Sequence, residues 1–92
     1  MQKENFDPQL HAAIMKVVEN QLRSNDPPQT QQTFKRLLEA GHSEAEAKRL
    51  IACVVSVEIF DVLKKNEPFN IDRFVRGLNH LPAMPWDEEE KS

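Results

Sequence analysis

A chain of 92 residues, 39% of them hydrophobic and 29% charged, has the size and composition of one small globular domain. Its formal net charge is −3, and its basic residues are spread along the chain, which argues against a nucleic-acid-binding surface. No apolar run reaches the ~20 residues of a membrane span, so we expect no membrane association. An N-terminus without an apolar signal sequence and a single cysteine predict a cytoplasmic protein.

Caps and prolines in the first half of the chain predict two helices. Helix 1 begins at Asp7, a good N-cap followed by proline, and ends near residue 25, because prolines follow at 27 and 28. Helix 2 runs from there to about Ala40, with Gly41 as the left-handed C-cap. Its apolar stripe is narrow, so we expect helix 2 to be the least buried helix. The apolar positions are Leu10, Ile14, Val17, Val18 and Leu22 in helix 1, and Phe34, Leu37 and Leu38 in helix 2.

The second half of the chain predicts two further helices. Ser43 and Glu46 have the spacing of a capping box and begin helix 3, which lasts to about Asn66. Helix 4 begins at Asn70 as N-cap and ends before the proline at residue 82. Phenylalanines at 69 and 74 have the spacing of a hydrophobic staple across its first turn.

Helix 3 is apolar on almost every side, since twelve of the seventeen residues from 47 to 63 are apolar. Such a helix must be covered by other elements on most sides. We therefore predict an all-α fold, a compact four-helix bundle with a long central third helix. Residues 7–82 form its single domain, residues 1–6 are a lead-in and residues 83–92 are an extended acidic tail. The alternative is a dimer in which helix 3 gains part of its cover from a second copy.

Glu58 stands out because it falls within the apolar arc of helix 3. A carboxylate in that position is buried with a partner or protonated, since an unpaired buried charge is very costly. It is either a polar anchor of the core, which is the favoured interpretation, or a ligand or acid–base group. We predict that Glu58 is at least half buried and hydrogen-bonded, with Gln21 of helix 1 as its partner.

Several cap and loop segments occur in an order that resembles a family of small bacterial all-helical proteins of unknown function. The resemblance covers residues 7–81. In the family's pattern, helix 1 carries H-x-x-x-H-x-x-x-E and the central helix opens with H-x-x-x-H, which implies a metal-like cluster between helices 1 and 3. The segments that carry the resemblance are Asp7-Pro8-Gln9-Leu10-His11, Glu19-Asn20-Gln21-Leu22, Asp26-Pro27-Pro28 and Leu37-Leu38-Glu39-Ala40-Gly41.

This chain keeps only two of the five ligand positions that the resemblance implies, His11 and Glu19. Met15 stands at the second histidine position, and Ala45 and Arg49 stand at the two positions of the central helix. We therefore predict a degenerate site that holds no metal and no cofactor. With helices 1 and 3 parallel, we expect Arg49 to form an ion pair with Glu19 in place of the metal, because its planar fork suits a carboxylate.

The sequence lacks a Gly-rich phosphate loop, a CxxC pair and an HExxH motif, so no enzymatic activity is predicted. Trp86 is expected to fold back onto the bundle, although a short partner-binding peptide is the other interpretation. The function predicted is that of a non-enzymatic cytoplasmic helical module that acts through a protein partner or as a homodimer. The alternative is a metal-binding or metal-dependent protein with a degenerate His/Glu site between helices 1 and 3.

Overall fold

A computed structural model describes residues 8–83, and within this range the chain forms four helices and no strand. The helices are α1 (Pro8–Ser24), α2 (Pro28–Glu39), α3 (Glu44–Lys65) and α4 (Ile71–His80), of which α3 is the longest. The predicted all-α four-helix bundle is confirmed. None of these helices has the length and apolar character that crossing a membrane requires. The N-cap prediction for Asp7 and the prediction for Trp86 concern residues outside the described range.

Three helix ends carry the local structure that their sequences predict. The Ser43 hydroxyl accepts a hydrogen bond from the Glu46 N–H at 3.0 Å at the start of α3. The Asn70 side chain accepts one from the Arg73 N–H, also at 3.0 Å, at the start of α4. Gly41 follows α2 with φ of 103°, in the left-handed region that a glycine adopts without strain. These boundaries follow from local chemistry alone.

The core lies where α2 and α3 meet the other helices. Each of these two helices packs against all three others, whereas α1 and α4 do not pack against each other. The expectation that helix 2 would be least buried is wrong: α2 buries three residues, and the longer α1 buries only Ile14 and Val18. The reason is that α2 has three neighbours and α1 has two. The buried residues of α2 are Thr30, Thr33 and Leu37.

Helices α3 and α4 run antiparallel, because their contacts pair rising residue numbers in α4 with falling ones in α3. Arg73 contacts Glu58, and Gly77 lies against Val54 one turn further along. A Cβ on Gly77 would stand 2.7 Å from Val54 Cγ1, closer than atoms can pack, so the glycine permits a close approach of the two helices.

The first turn of α4 is held by the predicted staple. The rings of Phe69 and Phe74 meet edge to face with 5.4 Å between their centroids, and Phe74 is fully buried. Ile71, which the helical spacing places on the inner face, is largely exposed instead. The core therefore ends between Phe74 and the start of the helix.

Candidate functional site

Glu58 is only 2% exposed, and its Oε2 accepts a hydrogen bond of 2.9 Å from Arg73 Nε. The predicted burial and hydrogen bonding are therefore confirmed. The predicted partner is wrong, because Gln21 accepts a hydrogen bond from the Thr30 hydroxyl at 3.0 Å. Gln21 lies in the last turn of α1, where it contacts Thr30 in the first turn of α2. The partner of Glu58 comes from α4 instead.

Arg73 binds two carboxylates of α3. Besides Glu58, it reaches Asp61, with 3.4 Å between Nη2 and Oδ2. The hydrogen bond to Glu58 is the largest cause that raises the pKa of Arg73 above its ordinary value, and the charges of Glu58 and Asp61 add to the effect. This cluster anchors α4 to the second half of α3.

A depression of about 310 Å³ lies beside this cluster, between α3 and α4. The second carboxylate oxygen of Glu58, Oε1, is buried and accepts no hydrogen bond from a described residue. Oε1 is thus enclosed, and Oε2 is occupied by Arg73. We therefore read Glu58 as the polar anchor of the interface. The depression is lined by Val54, Val57, Glu58, Arg73, Arg76, Gly77 and His80.

The predicted ion pair between Arg49 and Glu19 is wrong. Glu19 pairs with Lys48, with 3.8 Å between Oε2 and Nζ, and Arg49 pairs with Glu46 of its own helix at 3.5 Å. One position along a helix turns a side chain by about 100°. Lys48 therefore faces Glu19 of α1, and Arg49, one position further along, pairs with Glu46 instead.

The expected parallel register of helices 1 and 3 is wrong as well. Residue numbers rise from Glu19 to Arg23 along α1, while those beside them in α3 fall from Lys48 to Glu44, which is the antiparallel direction. The last turn of α1 then lies beside the first turn of α3, because Arg23 and Glu44 line the same surface depression. Within residues 8–83 no group of three or more histidine, cysteine, aspartate or glutamate side chains has the geometry to hold a metal ion.

Large apolar side chains are exposed where α3 ends and α4 begins. Phe60 and Leu63 are 68% and 73% exposed, and Phe69 and Ile71 are 40% and 47% exposed. The antiparallel packing puts Ile71 at the level of Phe60, since Arg73 pairs with Glu58 two residues away along each helix. We call Phe60, Leu63, Phe69 and Ile71 the corner patch.

A shallow depression of about 610 Å³ runs along the part of the corner patch that belongs to α3. Its described lining comes from one face of the last turns of this helix and mixes apolar residues with one acidic and one basic residue. α4 borders this face at Asp61, through Arg73, and the described lining itself belongs to α3. The lining residues are Val57, Phe60, Asp61, Leu63 and Lys64.

Sequence reasoning missed Arg73 and the corner patch. Arg73 was recognisable as a partner, because a helical hairpin with a short connection brings the start of α4 beside the end of α3. The exposure of Phe60 and Leu63 carried no such signal, since both continue the apolar pattern of the buried half of α3.

No protein-family model, curated protein or solved structure matches this chain. The resemblance of residues 7–81 to the bacterial family of unknown function stays a prediction. The argument for a function therefore rests on the chemistry of the described residues.

Proposed function

We propose that this chain is a non-enzymatic helical module of the cytoplasm that acts through protein contacts, with a partner or with itself. The observation that carries the proposal is the corner patch. Monomeric proteins rarely keep large apolar side chains together on the surface, and such patches mark interaction sites. Phe60 and Leu63 belong to the most apolar helix of the chain and are its most exposed large hydrophobic residues.

The ion pairs of Glu58 and Glu19 support a structural role for these two carboxylates rather than a chemical one. Glu58 is held by Arg73, and its other oxygen is enclosed. Glu19 pairs with a lysine across the helix interface, so it serves as a surface ion pair. Neither arrangement presents a nucleophile, a base or a metal-ligand set to a substrate, which leaves the corner patch as the surface for function.

The experiment that tests the proposal is site-specific photo-crosslinking in the cells that make the protein. A photoreactive amino acid replaces Leu63 in one variant and Lys35, an exposed residue of α2, in the control. We expect a discrete adduct from position 63 and none from position 35. Adducts from neither position, or equal smears from both, would overturn the proposal.

Elemental analysis of the untagged protein tests the competing class of function. Stoichiometric zinc, nickel or iron would favour the metal-binding alternative at His11 and Glu19. We expect metal well below one equivalent, and we expect titration with each ion to leave the thermal midpoint unchanged, because a bound ion stabilises the folded state by mass action.

A further inference from the structure

If the corner patch is a protein-binding surface, as the proposed function states, its charges and shape indicate which partner binds there. We infer that the occupant is a second copy of this chain, with the last turns of the two α3 helices packed antiparallel about a two-fold axis. In such an interface the same residues serve both copies, so the surface must complement itself. The lining of the α3 face meets this condition in charge and in shape.

The charges of the face complement themselves only in the antiparallel arrangement. Asp61 and Lys64 lie three positions apart and line the same depression. Asp61 already lies 3.4 Å from Arg73 of its own chain, and an antiparallel neighbour adds its own Lys64 beside that carboxylate and its own Asp61 beside Lys64, which gives two further attractive pairs. A parallel neighbour would place like charges side by side. The net charge of −3 on each chain is too small to oppose the association strongly.

The apolar side chains complement themselves in the same arrangement. Phe60 and Leu63 lie one turn apart, so antiparallel packing sets Phe60 of each copy against Leu63 of the other. Ile71 stands at the level of Phe60 on the neighbouring helix and extends the contact. Leu63 is the most exposed of these residues and is expected to lose the most exposed surface.

The size of the patch predicts a reversible dimer. Phe60 and Phe69, at 68% and 40% exposure, together offer about 200 Å² of apolar surface. Leu63 and Ile71 add a comparable area. This falls short of the ~800 Å² per partner of a standard stable interface, so we expect a weak association that depends on protein concentration.

The first test is sedimentation equilibrium of the untagged full chain over a wide concentration range. The average mass is expected to rise from the chain mass of 10.6 kDa towards twice that value. Leu63→Lys is expected to weaken the association at least tenfold. Val17→Lys, which charges an exposed apolar residue of α1 outside the patch, should leave it unchanged. Circular dichroism and urea unfolding verify that both variants are folded.

The second test exploits the two-fold symmetry. Asp61→Lys and Lys64→Glu each place like charges opposite each other in their own homodimers, so each variant alone should be mostly monomeric. A mixture of the two should form a heterodimer, in which both charge pairs are attractive again. Failure of the mixture to associate, with both variants folded, would show that Asp61 and Lys64 do not lie in the interface and would overturn the inference.

The remaining outcomes separate this inference from the proposed function. A wild-type chain that stays monomeric throughout the concentration range overturns the inference. The photo-crosslink at position 63 then decides the rest: an adduct with a different protein keeps the proposed function. An adduct only with residues 1–7 or 84–92 of the same molecule would mean that the chain covers its own patch, which overturns both.

Discussion

Both halves of α3 are rich in apolar residues, with eight of twelve from 44 to 55 and five of ten from 56 to 65, and they differ in what covers them. From residue 44 to residue 55 the helix buries six apolar side chains. From 56 to 65 it buries one residue, the carboxylate Glu58, and exposes Phe60 and Leu63. The buried apolar residues of the first half are Ala47, Leu50, Ile51, Ala52, Val54 and Val55.

The difference shows that the apolar pattern of a helix does not by itself determine which of its residues are buried by neighbouring helices. The start of α3 is flanked by α1 and α2, as the surroundings of Lys48 show: Glu19, Leu22 and Phe34 lie around it. The end of α3 has α4 beside it, held by the ion pair of Glu58 with Arg73. The face that α4 leaves open is the one that we assign to a second copy.

The largest expected effect comes from the same substitution in the two halves. Leu50→Ala removes a residue that is 5% exposed, so we expect the free energy of unfolding to fall by about 2–5 kcal/mol. Leu63→Ala, at 73% exposure, should change it by less than about 0.5 kcal/mol when urea unfolding is measured at low protein concentration. Equal losses of unfolding free energy at the two positions would contradict the difference in burial between the two halves of α3.

Glu58 tests how the second half is held. Glu58→Ala should cost about 1–3 kcal/mol, because it empties a buried site and leaves a donor of Arg73 without its acceptor. Glu58→Leu fills the space and should be within about 1 kcal/mol of the natural chain. Arg73→Leu should destabilise more than Glu58→Leu, since it leaves a buried carboxylate without its donor. Chemical denaturation of the three variants gives the order, and the reverse order of the two leucine variants would contradict the anchor role.

Gly77 tests how closely α4 must approach α3. Gly77→Ala gains about 1 kcal/mol of helix propensity, but overpacking against the stiff, buried Val54 costs about 1–3 kcal/mol. We expect a net loss in thermal unfolding. In a Val54→Ala background the same substitution should stabilise, because the opposing methyl group is gone. A stabilising Gly77→Ala in the natural background would show that the helices separate easily.

The smallest expected effect concerns the ion pair at the start of α3. Glu19 and Lys48 are partly exposed, so a double-mutant cycle with Glu19→Gln and Lys48→Gln should give a coupling energy below about 1 kcal/mol that declines with added salt. The matching cycle of Glu19→Gln with Arg49→Gln should give none. Coupling to Arg49 in place of Lys48 would restore the pair predicted from the sequence.

The sequence by itself determined the four helices and the local structure at three of their ends. Ser43, Asn70 and Gly41 act through atoms a few residues away, so a cap is recognisable without knowing the fold. The burial of Glu58 was also predictable, because its position on an otherwise apolar arc follows from helical periodicity alone.

Only the tertiary structure decided which helices face each other and where along their length. A shift of one residue turns a side chain by about 100°, which exchanged Arg49 for Lys48 as the neighbour of Glu19. Packing also gave Glu58 its partner from α4 and left Phe60 and Leu63 uncovered. Both outcomes depend on contacts between segments that are distant in sequence. The apolar pattern of one helix cannot predict how far along it the neighbouring helices extend.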